Sequence, residues 1–135
     1  MNVGLQLSTP PADEEGDAFN GACQGRVVFD HLTSRWGVLI IAALQSAPLR
    51  FSGLHARIGG ISEKMLSQTL RTLVRDGLVE RTVTPAAPPQ VSYALTPLGD
   101  SAAGPLLEVL DWIHAHTTDV VAAQHRHDHH DYAMR

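Results

Sequence analysis

A mainly helical α+β fold is what this 135-residue sequence predicts: four short helices, a two-stranded hairpin and one closing helix. Three observations carry that expectation. Apolar residues recur at helical spacing in four segments between Val27 and Leu73. Two runs, residues 78–83 and 91–95, then alternate at the period of a strand. Between them Thr84, Pro85, Ala86, Ala87, Pro88, Pro89 and Gln90 cannot extend a ladder, because three prolines remove donors.

Each element has its own signals. Val27, Val28, Phe29 and Leu32 give a short first helix an apolar face. Ser34 caps a second helix, where Trp36, Leu39, Ile40, Ala43 and Leu44 fall at i, i+3, i+4, i+7 and i+8, and Pro48 stops it. Ser52 is expected to cap a third, short helix carrying Leu54 and Ile58 inward, with Gly59-Gly60 as the break after it. Ser62 caps a fourth helix running to about Asp76. Its inward stripe is Met65, Leu66, Thr69, Leu70 and Leu73, and Gly77 is the glycine that ends it. After the hairpin, Thr96-Pro97 is a cap followed by a proline at the first helical position. The last helix carries a wide apolar face of Leu106, Leu107, Leu110 and Ile113. Two helices joined at a glycine break and followed by a hairpin form a winged helix-turn-helix.

Composition bounds the rest. At 44% hydrophobic the chain makes one domain with tails. Residues 1–20 read as a disordered or loosely docked acidic tail, residues 21–123 as the domain, and residues 124–135 as a histidine-rich tail that frays. The longest apolar run, residues 37–44, is far short of a membrane span, and the N-terminus lacks a basic n-region, so a cytoplasmic protein is expected. The single cysteine excludes an internal disulfide framework and a cysteine-rich zinc site. No G-x-S-x-G, no phosphate-binding glycine loop and no recognisable pair of catalytic acids occurs. Neither an enzyme nor a cofactor is expected.

The net charge of −4 argues at face value against nucleic acid. Its distribution does not. Residues 1–23 carry four acids and no Lys or Arg; residues 24–100 carry eight basic side chains against five acids, a balance of +3; residues 101–135 carry five acids against two arginines. On the fourth helix, opposite the leucines, Lys64, Gln68, Arg71 and Arg75 lie at i, i+4, i+7 and i+11, flanked by Ser62, Ser67 and Thr72. Arg and Lys donate to guanine O6 and N7, and Gln pairs with adenine. The N-terminal part of a recognition helix approaches base edges. Base contact is therefore expected of Lys64, Ser67 and Gln68, with Ser62 and Arg71 nearer phosphate and Arg75 continuing the stripe. A merely solvated polar face is the competing reading, and Glu63 speaks mildly for it.

These residues resemble a known family. The segments Phe51-Ser52-Gly53-Leu54, Gly60 through Leu73 and Asp76-Gly77-Leu78-Val79 are similar to the HxlR family of bacterial and archaeal regulators, MarR-like in architecture. Trp36, Pro88-Pro89, Tyr93 and Leu95-Thr96-Pro97-Leu98-Gly99 match further family positions. The resemblance implies a homodimeric transcription regulator, usually a repressor and sometimes an activator. It implies that the additional N- and C-terminal helices are dimerisation helices, in agreement with Leu106, Leu107, Leu110 and Ile113. A two-fold dimer would set two recognition helices one DNA turn apart (~34 Å) on a pseudo-palindromic double-stranded operator. The wing departs from the pattern. Many relatives carry an acid after the first wing proline and an Arg after the proline pair; here Ala86 and Gln90 stand there. Gln90 is thus the wing's candidate contact, and a weak one.

Cys23 stands thirteen residues before Trp36, the spacing at which relatives place a near-N-terminal cysteine. In a redox-sensing subset of the family this thiol meets quinones, aldehydes, hypochlorite or disulfide stress. A helix start at Cys23 and Arg26 one turn on would favour the reactive thiolate. Relatives usually follow the cysteine with Pro, whereas Gln24 and Gly25 follow here. The alternatives are an inert cysteine in a regulator controlled by a small ligand or metal, and a protein-interaction module that has lost DNA binding. His125, His127, His129 and His130 are weak metal candidates whose spacing matches no closed zinc pattern.

Overall fold

The computed structural model describes residues 15–133. Residues 1–14 of the expected acidic tail lie outside the described residues. The elements are α1 (Gln24–Thr33), α2 (Arg35–Leu44), β1 (Leu49–Arg50), α3 (Phe51–Arg57), α4 (Glu63–Arg75), β2 (Val79–Thr84), β3 (Gln90–Leu95) and α5 (Pro97–Ala133). The winged helix-turn-helix is therefore present, with a three-stranded antiparallel sheet in the order β1-β3-β2.

Local chemistry sets the boundaries. Ser34 is extended, its Oγ accepts from Gly37 N at 3.1 Å, and the chain bends 71° between α1 and α2 there. Ser62 Oγ accepts from Met65 N at 3.0 Å and starts α4. At the other end, Gly77 N reaches Val74 O and Leu78 N reaches Leu73 O, both at 3.0 Å. This paired closure needs a left-handed residue, and Gly77 supplies it with φ +77°. Thr96 Oγ1 accepts from Gly99 N at 3.0 Å and donates to Gly77 O at 2.6 Å. The start of α5 is thereby bolted to the end of α4.

The core is formed by Ile40, Ile41 and Leu44 of α2, Leu54, Ile58, Ile61, the α4 leucines Leu66, Leu70 and Leu73, and Leu78, Val79 and Ala103. No charged or polar side chain is buried among the described residues. α2 lies at the centre, touching α1, α3, α4, α5 and β3. That position explains Ile41, which is fully buried although it falls outside the stripe expected for α2.

Other differences have equally local causes. Ser52 does not cap α3: the helix begins at Phe51 after Arg50, which is extended and pairs with Ser92. Strand β1 is absent from the expected order because two residues show no alternation; they are strand only through Leu49↔Tyr93 and Arg50↔Ser92. The hairpin strands begin or end one residue away from the expected limits, with Thr84 paired to Gln90. Met65 is not inward; it sits 40% exposed on the flank of α4 that faces α1. Val27, Val28 and Phe29 of α1 are likewise exposed, and of that helix's apolar residues only Leu32 packs against the core. From Gln124 onward the described residues continue α5 as far as Ala133.

Candidate nucleic-acid interface

Along α4, Lys64, Gln68, Arg71 and Arg75 fall within about 60° of arc and are all exposed. Among the described residues, none of the three cations on this face makes an ion pair. The helix is held from behind by its leucines, so the face is rigidly presented. Ser62 uses its hydroxyl oxygen as the cap acceptor, which leaves its O–H free to donate outward. Thr72 Oγ1 donates to Gln68 O at 3.2 Å, and Thr69 Oγ1 to Met65 O at 2.7 Å.

The two flanks of α4 differ. On the hairpin side, Ser67, Leu70, Arg71 and Val74 line a groove of about 460 Å³ with Arg81 and Tyr93. Ser67 is half-buried there and belongs more to this groove than to the outer stripe. On the other side, Met65, Gln68, Thr69 and Thr72 share a groove with Asp30, His31 and Ser34 of the α1–α2 corner. His31 Nδ1 lies 2.6 Å from Asp76 Oδ2, tying the end of α1 to the residue that closes α4.

Two arginines not singled out in the sequence belong to this surface. Arg81 stands on β2 opposite Tyr93, in phase with buried Val79, so its side chain is on the sheet face that meets α4. That phase was legible in the alternation. Arg50 on β1 donates from Nη2 to Gln90 Oε1. Gln90 is therefore engaged at the base of the wing, and a guanidinium stands beside the position that lacks one. No local signal announces that pairing, since forty residues separate the two.

Cys23 precedes α1 as its cap residue without a side-chain bond to the helix. Its Sγ–H donates to Asp17 O, and the residue is half-buried. Arg26 does not turn to the sulfur: its Nε donates to Ala18 O at 2.6 Å and its Nη2 to Phe19 O at 3.3 Å. Gly25 allows the backbone of Gly16 to lie so close that a Cβ would come within 2.6 Å of it. Residues 16–19 thus form a strap over the start of α1, where the sequence suggests an open thiol.

On α5, Leu106 packs against the core and Leu110 lines a groove with Leu39, Ala42, Ala43, Arg57, Ile58 and Gly59, while Leu107 is half-buried. Ile113 is exposed, on a stripe with Val109, Trp112 and Val120. The outward apolar surface is thus shifted around the helix from the face expected. His125 and His129 share one side of α5, and His127 and His130 another. Among the described residues no three His, Cys, Asp or Glu side chains gather as metal ligands. No single described helix is long and apolar enough to cross a membrane.

The sequence model of the HxlR-like helix-turn-helix family matches residues 31–120. The chain belongs to this family. It is a family of helix-turn-helix transcription regulators rather than of enzymes. The chain is 44% identical over 119 residues to YtfH of Escherichia coli K12, described as an uncharacterized HTH-type transcriptional regulator, covering 88% of this chain and 94% of that one. The solved structure of YtfH from Salmonella typhimurium matches with a TM-score of 0.76 at 44% identity, over 79% of this chain and 96% of the other. Diamide-treated YodB from Bacillus subtilis matches with a TM-score of 0.60 at 35% identity, over 68% and 91% of the two chains. This member of the HxlR-like family therefore shares its fold with a relative that has been solved in a diamide-treated form.

Proposed function

We propose that this chain is a homodimeric, sequence-specific DNA-binding repressor that works in the cytoplasm on a pseudo-palindromic operator. The observation that carries the reading is the outer face of α4: Lys64, Gln68, Arg71 and Arg75 are exposed together, and none of the cations is paired among the described residues. A rigid helix with those donors fits the major groove, with Lys64, Ser67 and Gln68 at base edges and Ser62, Arg71 and Arg75 toward phosphates. The wing, with Gln90 at its base, lies along the neighbouring backbone. Dimerisation uses α1 and α5. Val27, Val28, Phe29, Val109, Trp112 and Ile113 are all at least 43% exposed, apolar side chains of the kind that a partner chain covers. Leu106, Leu107 and Leu110 support α5 from beneath that surface.

The test is a mobility shift of duplexes selected from a random pool by the wild-type protein. The selected sites should be pseudo-palindromes with half-sites about one turn apart. Recovery of sequences without two-fold symmetry would overturn the dimeric reading, and failure to enrich any sequence would overturn specific recognition.

Control of that binding runs through Cys23. Support comes from the thiol's position at the cap of α1, a helix that reaches α4 through His31 and Asp76, and from the treated form in which YodB was solved. A quinone or hypochlorite should release DNA from the wild type and not from Cys23→Ser. Equal release from both proteins would leave the thiol inert and point to another effector.

A further inference from the structure

Arg71 and Arg81 come from different elements, the recognition helix and the first wing strand, and line the same groove. Two guanidinium groups facing one concave space repel each other unless an anion lies between them. Among the described residues neither makes an ion pair. Among the described residues no acidic side chain lines the groove; its other residues are Ser67, Leu70, Val74 and Tyr93. The hydroxyls of Ser67 and Tyr93 are further donors, and Leu70 and Val74 form an apolar floor that holds no counter-charge. The groove is open and lies beside the face that presents Lys64, Gln68 and Arg75. Its chemistry is that of a receptor for one tetrahedral oxyanion, with two guanidinium side chains among its lining residues.

We propose that this groove is the seat of a single phosphodiester of duplex DNA, gripped jointly by Arg71 and Arg81. Arg81 is then a DNA-contacting residue, and the recognition helix and the wing clamp the same point of one strand. The inference rests on the DNA-binding reading and adds a site to it. A shared phosphate has a mechanical meaning. It fixes the depth of α4 in the groove, because the helix cannot slide along the duplex without losing the wing's hold as well.

The salt dependence of binding tests it, because each neutralised phosphate contributes about 0.9 to the slope of log K against log salt. The probe is a labelled duplex selected from a random pool by the wild-type protein, titrated over a salt series. Arg81→Ala should weaken binding throughout the series while lowering the slope by less than about 0.9 per protomer, because Arg71 still neutralises the shared phosphate. The double variant Arg71→Ala/Arg81→Ala should lower it by about 0.9 per protomer in all, the loss of one phosphate. Arg81→Lys should keep most of the slope, and no variant should unfold at a lower temperature than the wild type, because the side chains are exposed and each loss to alanine relieves repulsion. A double variant that loses about 1.8 per protomer would assign the two arginines to separate phosphates and overturn the shared seat. An Arg81→Ala protein with the wild-type affinity at every salt concentration would remove Arg81 from the interface while leaving the DNA-binding reading intact. A wild-type protein that binds no duplex would overturn both.

Discussion

Replacing Gly99 with alanine tests the junction that holds the wing to α5. A Cβ built on Gly99 would lie 2.0 Å from Leu78 O and 2.9 Å from Leu78 C, where no real carbon sits. The obstacle is backbone and cannot rotate away. Leu78 O accepts from Thr96 N at 3.1 Å, and Thr96 Oγ1 holds both Gly99 N and Gly77 O. Relieving the clash requires shifting the first turn of α5, which strains these bonds together. Overpacking costs about 1–3 kcal/mol, and a lost helix cap about 1 kcal/mol more. Against this, alanine gains about 0.8–1.0 kcal/mol over glycine within a helix. The net expectation is a loss of about 1–3 kcal/mol and a fall in Tm on the order of 10 °C. Gly104, five residues on, has nothing within 4 Å of its Cβ position. There the helix gain is set against the crowding of the new Cβ by the ring of Pro105 alone, so Gly104→Ala should change Tm far less than Gly99→Ala. Thermal unfolding followed by circular dichroism reads both. Equal Tm values for wild type and Gly99→Ala would refute the reasoning, as would a Gly104→Ala protein less stable than Gly99→Ala.

Other outcomes follow from the proposed DNA-facing surface. Gln68→Ala should relax preference at one position of each half-site, by about 1–3 kcal/mol of discrimination. Arg75→Ala should instead weaken all duplexes alike, and binding to a panel of single-base variants separates the two patterns. Gln90→Arg would set a second guanidinium beside Arg50. It should therefore tighten binding at low salt while lowering the Tm of the free protein. An unchanged affinity across the salt series would show that the base of the wing does not reach DNA.

The helix-turn-helix was legible because its signals are local. Ser62 caps within three residues, Gly77 closes a helix whose carbonyls lie next to it, and the leucines of α4 repeat at the helical period. What escaped the sequence is what depends on distant partners. β1 exists only because Leu49 and Arg50 find β3 more than forty residues later. Ile41 is buried because α2 is packed on several sides, and a single stripe describes a helix with one neighbour. Met65 has the hydrophobicity of a core residue and the position of a flank. The candidate site follows the same division. Its stripe of Lys64, Gln68, Arg71 and Arg75 repeats along one helix and could be read. Arg81 needed the additional knowledge of which sheet face turns toward α4. The engagement of Arg26 with Ala18 and Phe19, in place of the thiol, depends on how a loop folds back, which no periodicity encodes.

The length of α5 has a mechanical consequence. Its last fully buried residue is Ala103, near its start. From Leu110 to Ala133 the helix runs on for roughly 35 Å at 1.5 Å per residue. It is a lever with its fulcrum on the core. A tilt of about 10° at the fulcrum displaces the far end by roughly 6 Å, a distance of about two base-pair steps along a duplex. A small chemical event beside α1 or α2 needs only to nudge that fulcrum. Beyond Pro105 the stiffness of the helix converts the nudge into a displacement of its far end.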